Sequence, residues 1–334
     1  MSAAGEGYSG WKGKLFLILK TVLSLALLAF LLVRIPAREV MATLRSADPR
    51  WLWAAALLLL ASNLLGSFQW GRLLRAVDIR IPFWKVAAYY HVGLFFNNFL
   101  PAGVGMDIAR VLDASRYGRP KAVALSSVLM DRLVGTVALA GLALITTLPA
   151  INRFHLSVIY LALVGFFAFS MTLVWAVFHP ATLPTVERGL TKIGLGGLKP
   201  HLEELAHSLA GYRHRRAAVA RLLSVALLVQ LARIGVHVMV AQALGLRIPL
   251  TYFFLFVPLV AVIVSLPISL NGIGLREGAG VLLFGLIGVD RMHAFSLQFT
   301  TYLVAVAVSL IGGVVFLARI PRRRAVARQI RRSS

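Results

Sequence analysis

Two glycine-rich interruptions of apolar sequence each carry charge directly behind them. The first reads Asn97-Asn98-Phe99-Leu100-Pro101-Ala102-Gly103-Val104-Gly105-Met106-Asp107, with Arg110 one turn further on. The second reads Leu266-Pro267-Ile268-Ser269-Leu270-Asn271-Gly272-Ile273-Gly274-Leu275-Arg276-Glu277. Each places Gly-(Val/Ile)-Gly-(Met/Leu) and a charged residue behind a Leu-Pro. In a bilayer such breaks expose backbone amides and carbonyls that lipid does not satisfy, so they persist inside protein or around a watery cavity. The chemistry on offer is anion binding. Helix starts near Gly103, Gly105, Gly272 and Gly274 point unpaired N–H groups and a positive dipole end outward. Arg110 and Arg276 have the two-pronged guanidinium that grips phosphate. Asp107 and Glu277 could balance those arginines or carry a proton. Asp107 and Arg110 also share one helical face, so an internal salt bridge closing the break is compatible with the same spacing.

Further charged residues sit in apolar spans, where one charge costs about 2.5–3.5 kcal/mol on insertion scales. Such residues pair or line a wet cavity. Asp131 and Arg132 are adjacent and point in different directions, so each could lock to a different neighbouring helix or stand near the cavity. Arg233 and His237 lie four apart on one face, with Gln230 a turn earlier, and that stripe should face the interior. His237 reads more readily as a hydrogen-bonded interior residue than as a proton relay. His201, Glu204 and His207 have helical spacing that could suggest a metal. An apolar stripe of Leu202, Leu205, Leu209 and Tyr212 beside them instead suggests an amphipathic helix on the membrane surface. No metal or cofactor is expected: the sequence has no phosphate loop, no H-E-x-x-H and no cysteine.

The elements that position these residues follow from composition. The 334-residue chain is 59% hydrophobic and 14% charged, with long unbroken apolar runs. That is an all-α polytopic membrane protein forming a single integral membrane domain. Lys and Arg number 35 against 12 acids, but they cluster at the ends of apolar runs, which points to membrane orientation rather than nucleic acid. About six full spans meet the roughly 20-residue requirement of a bilayer: Leu15–Val33, Trp51–Trp70, Ala122–Leu148, Ser157–Phe178, Val219–Ala243 and Ala294–Ala318. The first is too long for a signal-peptide core and lacks a cleavage site, so it reads as an uncleaved span. Phe83–Arg110 and Leu250–Val289 are too interrupted for full spans and read as re-entrant hairpins.

Basic residues set the orientation. The tail 319–334 and the amphipathic segment 179–218 are expected in the cytoplasm, with both termini. Arginines and lysines flank the first hairpin, so its feet should be inside; the second hairpin has few, so its feet should be outside. The outer loop from Arg34 to Arg50 holds four arginines and fits this scheme least well. Residues 51–148 and 219–320 then form an inverted repeat. Paired breaks in corresponding halves of a chain are the sequence mark of a transport site near the bilayer midplane. Tight helix packing on glycine is the plainer reading, but it does not explain the charges behind both breaks.

The chain resembles the flippase-like integral membrane proteins related to the membrane portion of lysyl-phosphatidylglycerol synthases, found in bacteria and archaea. The resemblance covers nearly the whole chain. It rests on Asn98, Leu100-Pro101, Gly103, Gly105, Asp107 and Arg110, on Asp131-Arg132 with Gly135, and on Pro267-Ile268-Ser269, Gly272, Gly274, Arg276, Glu277 and Gly278. Met106, Asn271 and Ala102 stand where that family usually has glycine. The resemblance implies a lipid translocase of the bacterial cytoplasmic membrane rather than an enzyme, because the sequence has no aminoacyl-transferring domain after its last span. Its cargo would be an anionic phospholipid or a polyprenyl-phosphate-linked lipid, and its partners membrane lipids. The candidate substrate contacts are the residues named above, including Asn271. Two other readings are a polyprenyl-phosphate-dependent glycosyltransferase, with Glu39 and Asp48 as its acids, and a non-transporting membrane scaffold.

Overall fold

The computed structural model describes residues 37–99, 105–154, 156–179, 199–265 and 272–333. Leu15–Val33, Gly103, Asn271 and residues 180–198 of the amphipathic segment lie outside the described residues. Helices and connecting turns make up the described chain. In order they are α1 (Ala37–Arg45), α2 (Pro49–Ala76), α3 (Phe83–Phe99), α4 (Gly105–Ala114), α5 (Lys121–Thr147) and α6 (Ser157–Phe178). They continue as α7 (Lys199–Ala210), α8 (Arg216–Ala243), α9 (Leu250–Ser265), α10 (Leu275–Gly285) and α11 (Arg291–Ser333). Five of these are long and apolar enough to cross a membrane: α2, α5 with the turn that follows it, α6, α8 and the first 29 residues of α11. They coincide with five of the six expected spans.

The two interrupted regions each fold as a pair of helices. α3 and α4 have 17 and 10 residues, and α9 and α10 have 16 and 11. At 1.5 Å per residue, α4 and α10 reach only about 15 Å, half of a hydrocarbon core about 30 Å thick. Within each pair the helices run antiparallel. Gly93 lies against Met106, and Tyr90 lies under Arg110. Val264 meets Gly272, while Phe253 and Phe256 at the other end meet Phe284. Pro258 sits inside α9. It lacks the N–H that would bond the carbonyl one turn back, which frees a backbone acceptor at that level.

The contacts between helices show two-fold exchange. α2 packs on α8. Other pairings come in mates: α3 on α11 with α9 on α5, α2 on α11 with α8 on α5, and α4 on α5 with α10 on α11. Even the flanking helices obey it, since α1 packs on α11 as α7 packs on α5. The α2–α8 pair is antiparallel: the Asp48 N–H bonds the Ala243 carbonyl, Leu58 touches Gly235, and Ser62 bonds the Val229 carbonyl. A two-fold axis that relates antiparallel spans must lie perpendicular to them, in the membrane plane. Such an exchange of contacts about antiparallel spans is the pattern that an inverted repeat gives.

Candidate functional site

Two polar constellations lie inside this bundle, one closed and one open. The closed one is centred on Arg110 of α4, whose side chain is only 2% exposed. Its guanidinium donates to Asp131 Oδ2 at 2.7 Å and to Asp107 Oδ1 at 3.0 Å. Trp70 and Tyr90 cover it, each ring centroid 5.2 Å from Cζ. Asp131 Oδ1 accepts from the Gln69 amide at 2.8 Å, and Arg132 Nε lies 2.5 Å from Asp107 Oδ2. The cluster thus ties α4 to α5 and, through Gln69 and Trp70, to α2. Trp70 itself donates to Ser127 Oγ at 3.1 Å. Two carboxylates and two guanidiniums cancel, so this site holds little net charge for a ligand.

The open constellation is a cavity of about 450 Å³ where α2 and α8 cross, lined also by α3, α9, α10 and α11. The helix ends beside both breaks reach it: Asn97 and Asn98 from the end of α3, Val264 and Ser265 from the end of α9, and Arg276 from the start of α10. Asn98 donates to Ser309 of α11 at 2.6 Å, which fixes the end of α3 part-way along that span. Arg276 lies over the ring of Tyr302, 4.9 Å from its centroid and two turns away on the same span. Arg233 and His237 enter from α8, with the His237 ring bonded to the Arg233 carbonyl at 2.9 Å. The cavity lining contains two arginines and, among the described residues, no carboxylate.

Glu277 stays out of that lining. It is 2% exposed and its carboxylate accepts the Gly274 N–H at 2.7 Å, capping α10. Gly274 at φ 78° and Gly272 at φ 76° hold the left-handed backbone that turns the chain into α10, a conformation that glycine adopts without the Cβ penalty. A Cβ on Gly272 would fall 2.5 Å from Val264 and 3.2 Å from the Arg276 guanidinium, so this glycine also makes room for the arginine.

The expected site residues therefore separate. Asn98, Arg233, His237 and Arg276 share the cavity, with Gly272 beside it. The expectation that Arg110 faces a ligand is corrected: its charge is spent on Asp107 and Asp131, beneath two aromatic rings. Asp131 and Arg132 both reach α4, through Arg110 and Asp107, and Asp131 also reaches Gln69 of α2. Gly105 is buried at the start of α4. The region of His201, Glu204 and His207 is helical, and among the described residues no group of three such side chains is placed to hold a metal ion. Tyr212 just beyond it is fully buried and donates to the Leu73 carbonyl at 3.1 Å, so this segment packs on the bundle.

The family model for the lysylphosphatidylglycerol synthase transmembrane region matches residues 17–313. The chain belongs to that family. A curated relative, the UPF0104 membrane protein PH1989 of Pyrococcus horikoshii, is 23% identical over 295 residues, covering 81% of this chain and 88% of the relative. No solved structure matches. In this lysylphosphatidylglycerol synthase transmembrane-region protein the two halves differ where the repeat makes them comparable. Aligning α2 with α8 end to end places Trp70 opposite His237 and Gly66 opposite Arg233. Aligning α3 with α9 from their first residues places Tyr90 opposite Val257. His237, Arg233 and Val257 line the cavity, whereas Trp70 and Tyr90 close over Arg110. Bulky rings and a buried ion pair fill in one half what the other leaves open.

Sequence reasoning passed over several cavity residues of this family member: Asn63, Gln298, Thr301 and Tyr302. The signal was present. Each is a polar group well inside a long apolar run, where lipid offers it no partner.

Proposed function

We propose that this protein moves the headgroup of an anionic lipid across the bacterial cytoplasmic membrane through the cavity between its hairpin tips, and catalyses no chemical step. The cargo is a phospholipid or a polyprenyl-phosphate-linked lipid whose tails stay in the bilayer. Family membership and the inverted repeat support a membrane-embedded role. The observation that carries the reading is the cavity itself: both broken helices reach it, and Arg233 and Arg276 line it without a carboxylate among its described residues. A phosphate would meet two guanidiniums. The helix pairs act as re-entrant hairpins entering from opposite sides, with the termini of the chain in the cytoplasm. Asp48 accepts the Arg50 N–H at 2.8 Å and caps α2, which gives it structural work and weakens the glycosyltransferase alternative.

The test is a headgroup-accessibility assay in proteoliposomes containing fluorescent phosphatidylglycerol. The wild type should expose inner-leaflet label to an impermeant quencher, and Arg233→Gln and Arg276→Gln should slow that exposure at matched thermal stability. Equal rates for all three proteins would remove the arginines from the translocation path.

A further inference from the structure

Resting on the reading of the cavity as a lipid headgroup site, we infer that it selects a hydroxyl-bearing phosphodiester headgroup, glycerol or a sugar, and rejects headgroups that carry an ammonium. Charge is the first reason. An ammonium in the cavity would lie beside Arg233 and Arg276 with, among the described residues, no lining carboxylate to balance it. The acids nearest in sequence are already committed. Asp107 and Asp131 hold Arg110, Asp113 pairs with Arg116 and Arg319, and Glu277 caps α10. In a low-dielectric site an unbalanced like charge is costly.

Carboxamides are the second reason. Asn63, Asn97, Asn98, Gln230 and Gln298 all line the cavity. An amide offers a carbonyl acceptor and an NH₂ donor, which match a hydroxyl's ability to donate and accept. Two of them have already used the donor end. Asn98 gives its NH₂ to Ser309 at 2.6 Å, and Gln230 gives its NH₂ to the Gly135 carbonyl at 3.4 Å. Their carbonyl ends are left to accept O–H groups. Gln298 is fully buried, yet neither atom of its amide makes a hydrogen bond of normal geometry, although His237 stands close enough to interact with it. A buried amide whose bonding is incomplete costs free energy that a hydroxylated ligand would recover. The site therefore reads as phosphate recognition by arginine beside hydroxyl recognition by amide.

The experiment uses the full chain in proteoliposomes with four labelled lipids. Phosphatidylglycerol carries the charge and the hydroxyls, and phosphatidylmethanol carries the charge alone. Phosphatidylethanolamine and lysyl-phosphatidylglycerol carry amines. Phosphatidylglycerol should move fastest, roughly tenfold faster than phosphatidylmethanol, because a site built to bond hydroxyls discriminates strongly against analogues lacking them. Both amine lipids should be slower still. Gln298→Leu should erase the gap between the first two lipids while leaving the bias against amines intact. Lysyl-phosphatidylglycerol moving as fast as phosphatidylglycerol, with both still dependent on Arg233, would overturn the headgroup assignment and leave lipid translocation standing. Movement of no lipid, with uptake of soluble glycerol phosphate into the same vesicles, would overturn both readings.

Discussion

Replacing Arg110 with glutamine should destabilise the protein rather than merely slow its cargo. The guanidinium bridges Asp131 at 2.7 Å and Asp107 at 3.0 Å, and glutamine is too short to reach both. After the change Asp107 keeps Arg132, but Asp131 keeps only the neutral Gln69 amide. Removing one partner of a buried pair costs about 3–5 kcal/mol, chiefly because the other charge stays buried. Loss of two cation–π contacts adds to this, at about 0.5–2 kcal/mol each. The expected total is near the upper end of that range. By contrast, Arg132 is 52% exposed, so Arg132→Gln should cost about 0–1 kcal/mol. Denaturant unfolding in detergent, followed by tryptophan fluorescence, reads both variants, and Trp70 lies against the site. A double variant separates ion pairing from local packing. Arg110→Met with Asp131→Asn leaves no unbalanced charge at Asp131 and should regain most of the loss. If Arg110→Gln unfolds with the wild type, or the double variant is no better than the single, the closed ion cluster is wrong.

Gly312→Ala should separate α3 from α11, because a Cβ there would fall 1.9 Å from the His91 carbonyl oxygen; the backbone shift should cost at least about 1–3 kcal/mol in the same unfolding assay. Asp48→Ala should lose about 0.5–2 kcal/mol as a helix cap, while Glu39→Ala with Asp48→Ala should still move lipid in proteoliposomes. Loss of all movement in a folded double variant would favour the glycosyltransferase reading. Reporter tags after Ser334 and near Lys192 should both register cytoplasm; either one outside would reverse the orientation.

The spans and the two breaks were legible because apolar length and broken glycine motifs are local properties. Leu-Pro with Gly-x-Gly occurs twice, and it marks the two places where a span gives way to a pair of short antiparallel helices. The inverted relation followed from charge at the helix feet, and the antiparallel packing of α2 on α8 agrees with it. Arg110 was not legible. Its three-residue spacing from Asp107 sets a shared face, but that face could turn to a cavity or to α5. The deciding partner, Asp131, lies 21 residues away and meets Arg110 only through tertiary packing. Arg276 occupies the position of Asp107 in the repeated motif, and Tyr302 lies beneath it. Likewise Gln298 and Asn63 drew no notice as single amides in apolar runs, because only the crossing of the halves gathers them into one cavity.

A thiol block reads the path itself. The chain has no cysteine, so one introduced cysteine is the only site a maleimide can label. Ala305 is accessible and lines the cavity, whereas Leu282 is 75% exposed and does not line it. Unlabelled Ala305→Cys and Leu282→Cys proteins should both move phosphatidylglycerol in proteoliposomes. After reaction with a bulky maleimide, movement should stop in Ala305→Cys and continue in Leu282→Cys. Fully labelled Ala305→Cys that moves lipid at its unlabelled rate would contradict translocation through this cavity.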